Sequence, residues 1–105
     1  MISISGVIHH KIDGDAIIQK NETVILHGMI AGNLILSNSS TLFLHGMVTK
    51  NLIIKENSKA IIHGMVCGSI IAEGGSAEIY GMVLNGIEEK GGTIRIDKNA
   101  VIKRM

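Results

Sequence analysis

The chain has 105 residues, 13 glycines, no proline, no tryptophan and one each of phenylalanine, tyrosine and cysteine, with 46% hydrophobic residues. Ten basic against nine acidic residues leave a formal charge of +1 with both signs scattered, so no electrostatic footprint for nucleic acid or an anionic membrane stands out. The lone Cys67 excludes an intrachain disulfide, and a single domain over residues 1–105 with an aliphatic, finely layered core fits this length and composition.

Read in chain order, the opening MISISGVIHHKIDGD lacks the basic start and long apolar run of a secretion signal. The longest apolar runs, such as NLII at residues 51–54, are far too short to cross a bilayer. A soluble cytoplasmic protein is the expectation.

The tetrapeptide HGMV stands at residues 45–48 and again at 63–66, and YGMV follows at 80–83. Aligning His9, His27, His45, His63 and Tyr80 gives steps of 18, 18, 18 and 17 residues, and a fixed period of this size is the signature of a repeat architecture. Under that alignment Ile12, Ile30, Val48, Val66 and Val83 form one column. Ala16, Leu34, Leu52, Ile70 and Ile87 form a second, and Leu26, Leu44, Ile62, Ile79 and Ile96 a third. All are aliphatic. Glycines fill a column at Gly28, Gly46, Gly64 and Gly81 and part of another at Gly14, Gly32 and Gly68. Aliphatic residues and glycines recur at every second position, the period of a strand, which assigns both to the inward side.

Polar clusters punctuate each repeat: SNSST at 37–41, KENSK at 55–59 and EGGS at 73–76. Their Asn, Ser and Gly carry turn chemistry and mark corners. The sequons NET and NSS fall among such residues and read as turns. The repeat that loses one residue does so at EGGS, inside a corner, where strand register is unaffected. A repeat this short cannot close its own core, but as one turn of a coil each strand pairs in parallel with its equivalent in the next turn. The fold class is therefore all-β: a single-domain parallel β-helix, or solenoid, of about five to six rungs.

The stretch IIHGMVCGSII at residues 61–71 interleaves Ile/Val with Gly in a way that resembles the bactofilins, bacterial polymer-forming cytoskeletal proteins, and the resemblance extends from Val7 to Ile102. It implies a right-handed triangular β-helix that associates end to end into nucleotide-free filaments. Aliphatic positions six apart, such as Val48, Ile54 and Ala60, also suit the left-handed hexapeptide helix of acyltransferases; the right-handed form is the expectation. Those acyltransferases usually have a longer coil and a catalytic histidine outside the repeat, whereas His9, His27, His45 and His63 all occupy one repeated column.

Outward parity places His27, His45 and His63 in one ladder, Met29, Met47, Met65 and Met82 in a second, and Ile25, Phe43 and Ile61 in a third, with Tyr80 closing the histidine column. Three adjacent apolar outward columns make one flat face, and contiguous exposed apolar surface marks interaction sites, with methionine suited to adaptable contacts. Stacking alone would also explain a ladder. A shared metal is disfavoured because zinc wants convergent ligands and a ladder presents parallel ones. Cys67 sits outward beside Met65 with no oriented base, so it reads as a surface filler and not a nucleophile. Glu88 and Glu89 replace aliphatic residues near the end and read as a solvated corner, since neighbours on a strand point to opposite faces. In the last stretch Ala100 and Ile102 continue the alternation while Lys98, Lys103 and Arg104 add charge. The sequence thus predicts no enzyme, no cofactor, no metal, and no nucleic-acid, membrane or small-molecule partner. It predicts a self-associating bactofilin-like scaffold or, alternatively, a small immunity or inhibitor protein that masks a partner such as a toxin with this face.

Overall fold

The structure, a computed structural model, describes residues 1–103; Arg104 lies outside them. Eighteen short strands follow one another with no helix among the described residues. The first rung holds β1 (Ile2–Ile4), β2 (Gly6–Ile8) and β3 (Lys11–Asp13), and the second β4 (Ala16–Ile18), β5 (Thr23–Leu26) and β6 (Met29–Ala31). The third holds β7 (Leu34–Leu36), β8 (Thr41–Leu44) and β9 (Met47–Val48), and the fourth β10 (Leu52–Ile54), β11 (Lys59–Ile62) and β12 (Met65–Val66). β13 (Ile70–Glu73), β14 (Ser76–Ile79) and β15 (Met82–Val83) form the fifth rung, and β16 (Ile87–Lys90), β17 (Thr93–Ile96) and β18 (Val101–Ile102) the sixth.

Each strand pairs in parallel with its equivalent one rung away, giving three six-stranded sheets: A from β1 to β16, B from β2 to β17 and C from β3 to β18. The aligned columns of the sequence are the register itself. Leu34 pairs with Leu52 and Leu52 with Ile70 in sheet A, Leu44 with Ile62 in B, and Val48 with Val66 in C. These side chains point inward and are fully buried. Because the inward residue of every rung lands on an aliphatic residue of the next, the coil builds one continuous core, and each such side chain contributes about 1.5–3 kcal/mol.

The corners are as ordered as the strands. Between sheets A and B, Asn21, Ser39, Asn57, Gly74 and Gly91 all take positive φ, from 62 to 85°, the left-handed conformation that Asn and Gly tolerate best. The buried Ser40 hydroxyl donates to the Ser37 carbonyl at 2.6 Å, and the Ser58 hydroxyl repeats this to Lys55 one rung on. Between sheets C and A, an amide ladder replaces the missing strand hydrogen bonds. The Asn33 N–H donates to Asp15 Oδ1 at 2.7 Å, Asn51 N–H to Asn33 Oδ1 at 2.9 Å and Ser69 N–H to Asn51 Oδ1 at 2.8 Å.

The glycine column at the corner between B and C departs from the sequence reading. Gly28, Gly46, Gly64 and Gly81 do not fill the core. A Cβ on Gly46 would collide with the Gly28 carbonyl, and one on Gly64 with that of Gly46. Successive backbones approach too closely at this corner for any side chain.

The two ends differ. Ser5 alone separates β1 from β2, so Ile2 pairs with Ala16, a step of 14 residues, and the tighter rung keeps Ile4 and Ile12 at 6% and 8% exposure. In the last rung the core thins out: Ile96 is 44% exposed, with Ile94 and Ile102 only partly covered. Glu88 and Glu89 lie on β16 and not in a corner. Glu88 faces outward toward Lys90, 3.8 Å away. Glu89 falls beneath Ala72 in the inward column and turns its carboxylate to accept the Ile94 N–H at 2.7 Å.

Candidate functional site: a histidine ladder on an edge

The tight corner between sheets B and C fixes the histidines. The N–H groups of His45 and Gly46 both donate to the Leu26 carbonyl at 2.9 Å, and those of His63 and Gly64 both donate to Leu44 at 2.8 and 2.9 Å. The same doubled bond joins His27 and Gly28 to Ile8, and Tyr80 and Gly81 to Ile62, and the rings project from the edge. His9, His27, His45, His63 and Tyr80 stack with ring centroids 5.0–5.3 Å apart and interplanar angles of no more than 13°. The stack begins one rung earlier than the sequence site, at His9, and Tyr80 closes it.

The flanking columns are outward as expected, but the face is not flat. Ile25, Phe43 and Ile61 lie in register on sheet B, and Met29, Met47, Met65 and Met82 in register on sheet C. The His-Gly corner turns the chain between them, so the apolar surface folds around an edge of the prism with the ring ladder as its crest. The Ile/Phe and Met columns are half-buried by their neighbours within the sheets, and the ladder histidines are exposed. On the sheet C side, His45, His63, Tyr80, Met65, Met82 and Val101 line a groove of about 460 Å³, with Gly46, Gly64 and Gly81 as its floor. Rings form one wall and thioethers the other, and the absence of side chains at the glycines makes the depth.

At its Tyr80 end the ring ladder meets charged side chains. The Tyr80 hydroxyl donates to Glu78 Oε1 at 2.9 Å, and Lys59 Nζ lies 3.6 Å from the same carboxylate. The Tyr80 hydrogen bond, helped by the charges of Lys59 and Arg95, holds the Glu78 carboxyl below the ordinary glutamate value. The same bond to a carboxylate raises the Tyr80 phenol. Lys55 donates to Glu73 at 2.6 Å and likewise lowers that carboxyl.

No three His, Cys, Asp or Glu side chains converge as a metal cluster among the described residues. The imidazoles stack in parallel with centroids 5.0–5.3 Å apart, whereas zinc takes ligands that converge on one point. Cys67 Sγ sits 3.9 Å from Met65 Sδ and is partly exposed. A smaller groove of about 320 Å³ at the A–B corner of the last three rungs is lined by Ser58, Lys59, Ser76 and Thr93 with Gly74, Gly75, Gly91 and Gly92.

Sheet A holds the feature that the sequence reading missed. Its outer central column is Ile17, Ile35, Ile53 and Ile71, in register over four consecutive rungs. The signal was present in AII, LIL, LII and IIA, where the middle residue is aliphatic like its inward neighbours, but no His-Gly-Met marker set this outward column apart. All three sheets therefore carry an apolar outward column.

No helix is long and apolar enough to cross a membrane among the described residues. No protein-family model, no curated protein and no solved structure matches the chain.

Proposed function

We propose that the chain is a non-enzymatic, self-associating β-solenoid scaffold, bactofilin-like in its rungs. The observation that carries this reading is the apolar column on every sheet: Ile17 to Ile71 on A, Ile25 to Ile61 on B and Met29 to Met82 on C. A protein that masks one partner needs one such surface, whereas a module that assembles with copies of itself uses several. Contiguous outward apolar columns, even half-buried ones, mark interaction surfaces. The rigid, fully registered core supplies what a scaffold needs, a stiff unit whose side chains are held at fixed spacing. The strand edges at the first and last rungs add further hydrogen-bonding groups for association.

A second reading rests on the groove beside the ring ladder: a small binder of the immunity or inhibitor type that covers a partner with Ile25, Phe43, Ile61, the histidines and the methionines. Sedimentation over a concentration series separates the two. Concentration-dependent assembly supports the scaffold; a monomer at every concentration rejects it and leaves the binder. In either case a bacterial, cytoplasmic setting is the one proposed.

A further inference from the structure

We propose that Asn85–Gly86, in the corner between β15 and β16, is a self-modifying site: the asparagine cyclises onto the following backbone nitrogen, loses ammonia and is opened by water to aspartate or isoaspartate. The site is independent of the scaffold reading and stands whether or not the chain assembles.

The chain has seven asparagines, and Asn85 is the one followed by glycine. Cyclisation uses the next residue's nitrogen as nucleophile, and a bulky side chain there or a hydrogen bond from its N–H holds that nitrogen back. After Asn21, Asn33, Asn38, Asn51, Asn57 and Asn99 the next N–H already donates to a backbone carbonyl, at 2.9–3.2 Å. Among the described residues no acceptor takes the Gly86 N–H. The amide ladder at this corner explains the difference. Asn33, Asn51 and Ser69 each donate their N–H to a side-chain oxygen one rung back. Gly86 comes next in that column, as the pairing of Ile70 with Ile87 shows, but the Ser69 hydroxyl does not accept its N–H; it donates to the Asn85 carbonyl at 2.9 Å. Asn85 is exposed, so water reaches its side chain.

The Ser69 hydroxyl also assists the step. When the Gly86 nitrogen gives up its proton, charge spreads onto the Asn85 carbonyl oxygen of the same peptide, and the hydroxyl stands where that charge develops. The nitrogen then bonds to Asn85 Cγ while the Cγ–Nδ2 bond breaks, and Nδ2 takes up a proton and leaves as ammonia. Water adds to one carbonyl of the resulting five-membered imide and breaks its bond to nitrogen. Opening at Cγ leaves aspartate; opening at the backbone carbon leaves isoaspartate.

Isoaspartate carries the backbone through the former side chain and lengthens it by one methylene. That length enters between two inter-rung bonds, Asn85 N–H to the Gly68 carbonyl and Ile70 N–H to the Gly86 carbonyl, both 3.2 Å. The register of Ile87 on Ile70 just beyond them is disturbed, and β16 loosens from β13.

The full chain, aged at mildly alkaline pH and followed by peptide mass mapping, should gain the mass of an –NH2 to –OH exchange at Asn85 well before Asn33 or Asn51, part of it as isoaspartate. Asn85→Gln, which would need a larger ring, should suppress the gain. Ser69→Ala should slow it about fivefold, the rate equivalent of one ordinary hydrogen bond, and Ser69→Thr should restore it. Hydrogen exchange on the aged chain should be faster in β16 and unchanged in β10. No gain at Asn85, or a gain spread evenly over the asparagines, overturns the site. A Ser69→Ala rate equal to or above that of the unaltered chain overturns the part given to the hydroxyl, and equal protection of β16 before and after ageing overturns the loosened rung.

Discussion

Position 48 gives the most direct test of the coil, because Val48 and Met47 are adjacent in sequence and opposite in environment. Val48 is fully buried, stacked between Ile30 and Val66, whereas Met47 stands on the outer side of the same strand. Val48→Ala removes two methyl groups, about 1.6 kcal/mol at 0.8 kcal/mol each, and the rungs above and below prevent full collapse, so the cavity raises the total to roughly 2–3 kcal/mol. Val48→Asp places an unpaired carboxylate in that dry column, at a cost of several kcal/mol even after relaxation. Set against a total stability of about 5–15 kcal/mol, this unfolds a large share of the molecules at neutral pH. The Asp variant should regain stability in acid, because burial raises the carboxyl's pKa and protonation removes the charge. Met47→Glu costs about 1 kcal/mol or less. Urea unfolding followed by circular dichroism reads the series: Val48→Ala should lower the midpoint by about 1 M with little change of slope. If Met47→Glu unfolds the chain while Val48→Asp is tolerated, inside and outside have been assigned the wrong way round and the outward columns are not surface.

Gly46→Ala should cost on the order of 1–3 kcal/mol, measured by the same unfolding curves, because its Cβ meets the Gly28 carbonyl that accepts the Met47 N–H at 3.1 Å; an unchanged midpoint would mean that the corner is looser than described. Tyr80→Phe keeps the stack but removes the hydroxyl, so the Glu78 carboxyl should move back up toward the ordinary glutamate value in a carboxyl NMR titration. The sign follows from linkage: a lowered folded-state pKa gives stability that is present above the ordinary glutamate value and is lost as pH falls through the lowered one, so Tyr80→Phe should flatten that part of the acid unfolding profile. Zinc and a chelator should give the same melting temperature, since a ligand raises stability only by binding the native state and the stacked, parallel imidazoles do not converge on one point. A clear upward shift with zinc would show that the ladder rearranges around metal.

What the sequence revealed and what it hid follow from one difference between along-chain and between-rung information. Inward columns such as Leu26, Leu44 and Ile62 declare themselves because burial forbids polar residues at every rung, and the repeat aligns them. The outward ladder of His27, His45 and His63 was legible for the same reason of period, and the corner deletion at Gly74 was legible because strands on either side kept step. The angle between columns was not. Parity says only that Phe43 and Met47 both point out; it does not say that the corner at His45 and Gly46 turns the chain onto another sheet, since that turn comes from paired N–H groups reaching one carbonyl of the rung before. The glycines were misassigned on the same ground: an alternating pattern cannot tell a residue that faces the core from one whose missing side chain lets two backbones touch. Nor does parity rank the outward surfaces. The His-Gly-Met marker drew the site to the B–C edge, while no such marker set Ile17, Ile35, Ile53 and Ile71 apart until sheet A was seen to bury only Leu34, Leu36 and their equivalents on its inner side. A solenoid's core is written in its period, and its partner surfaces are written in which sheet each outward column joins; that second layer requires the turns, and the turns are set by backbone contacts between residues eighteen apart.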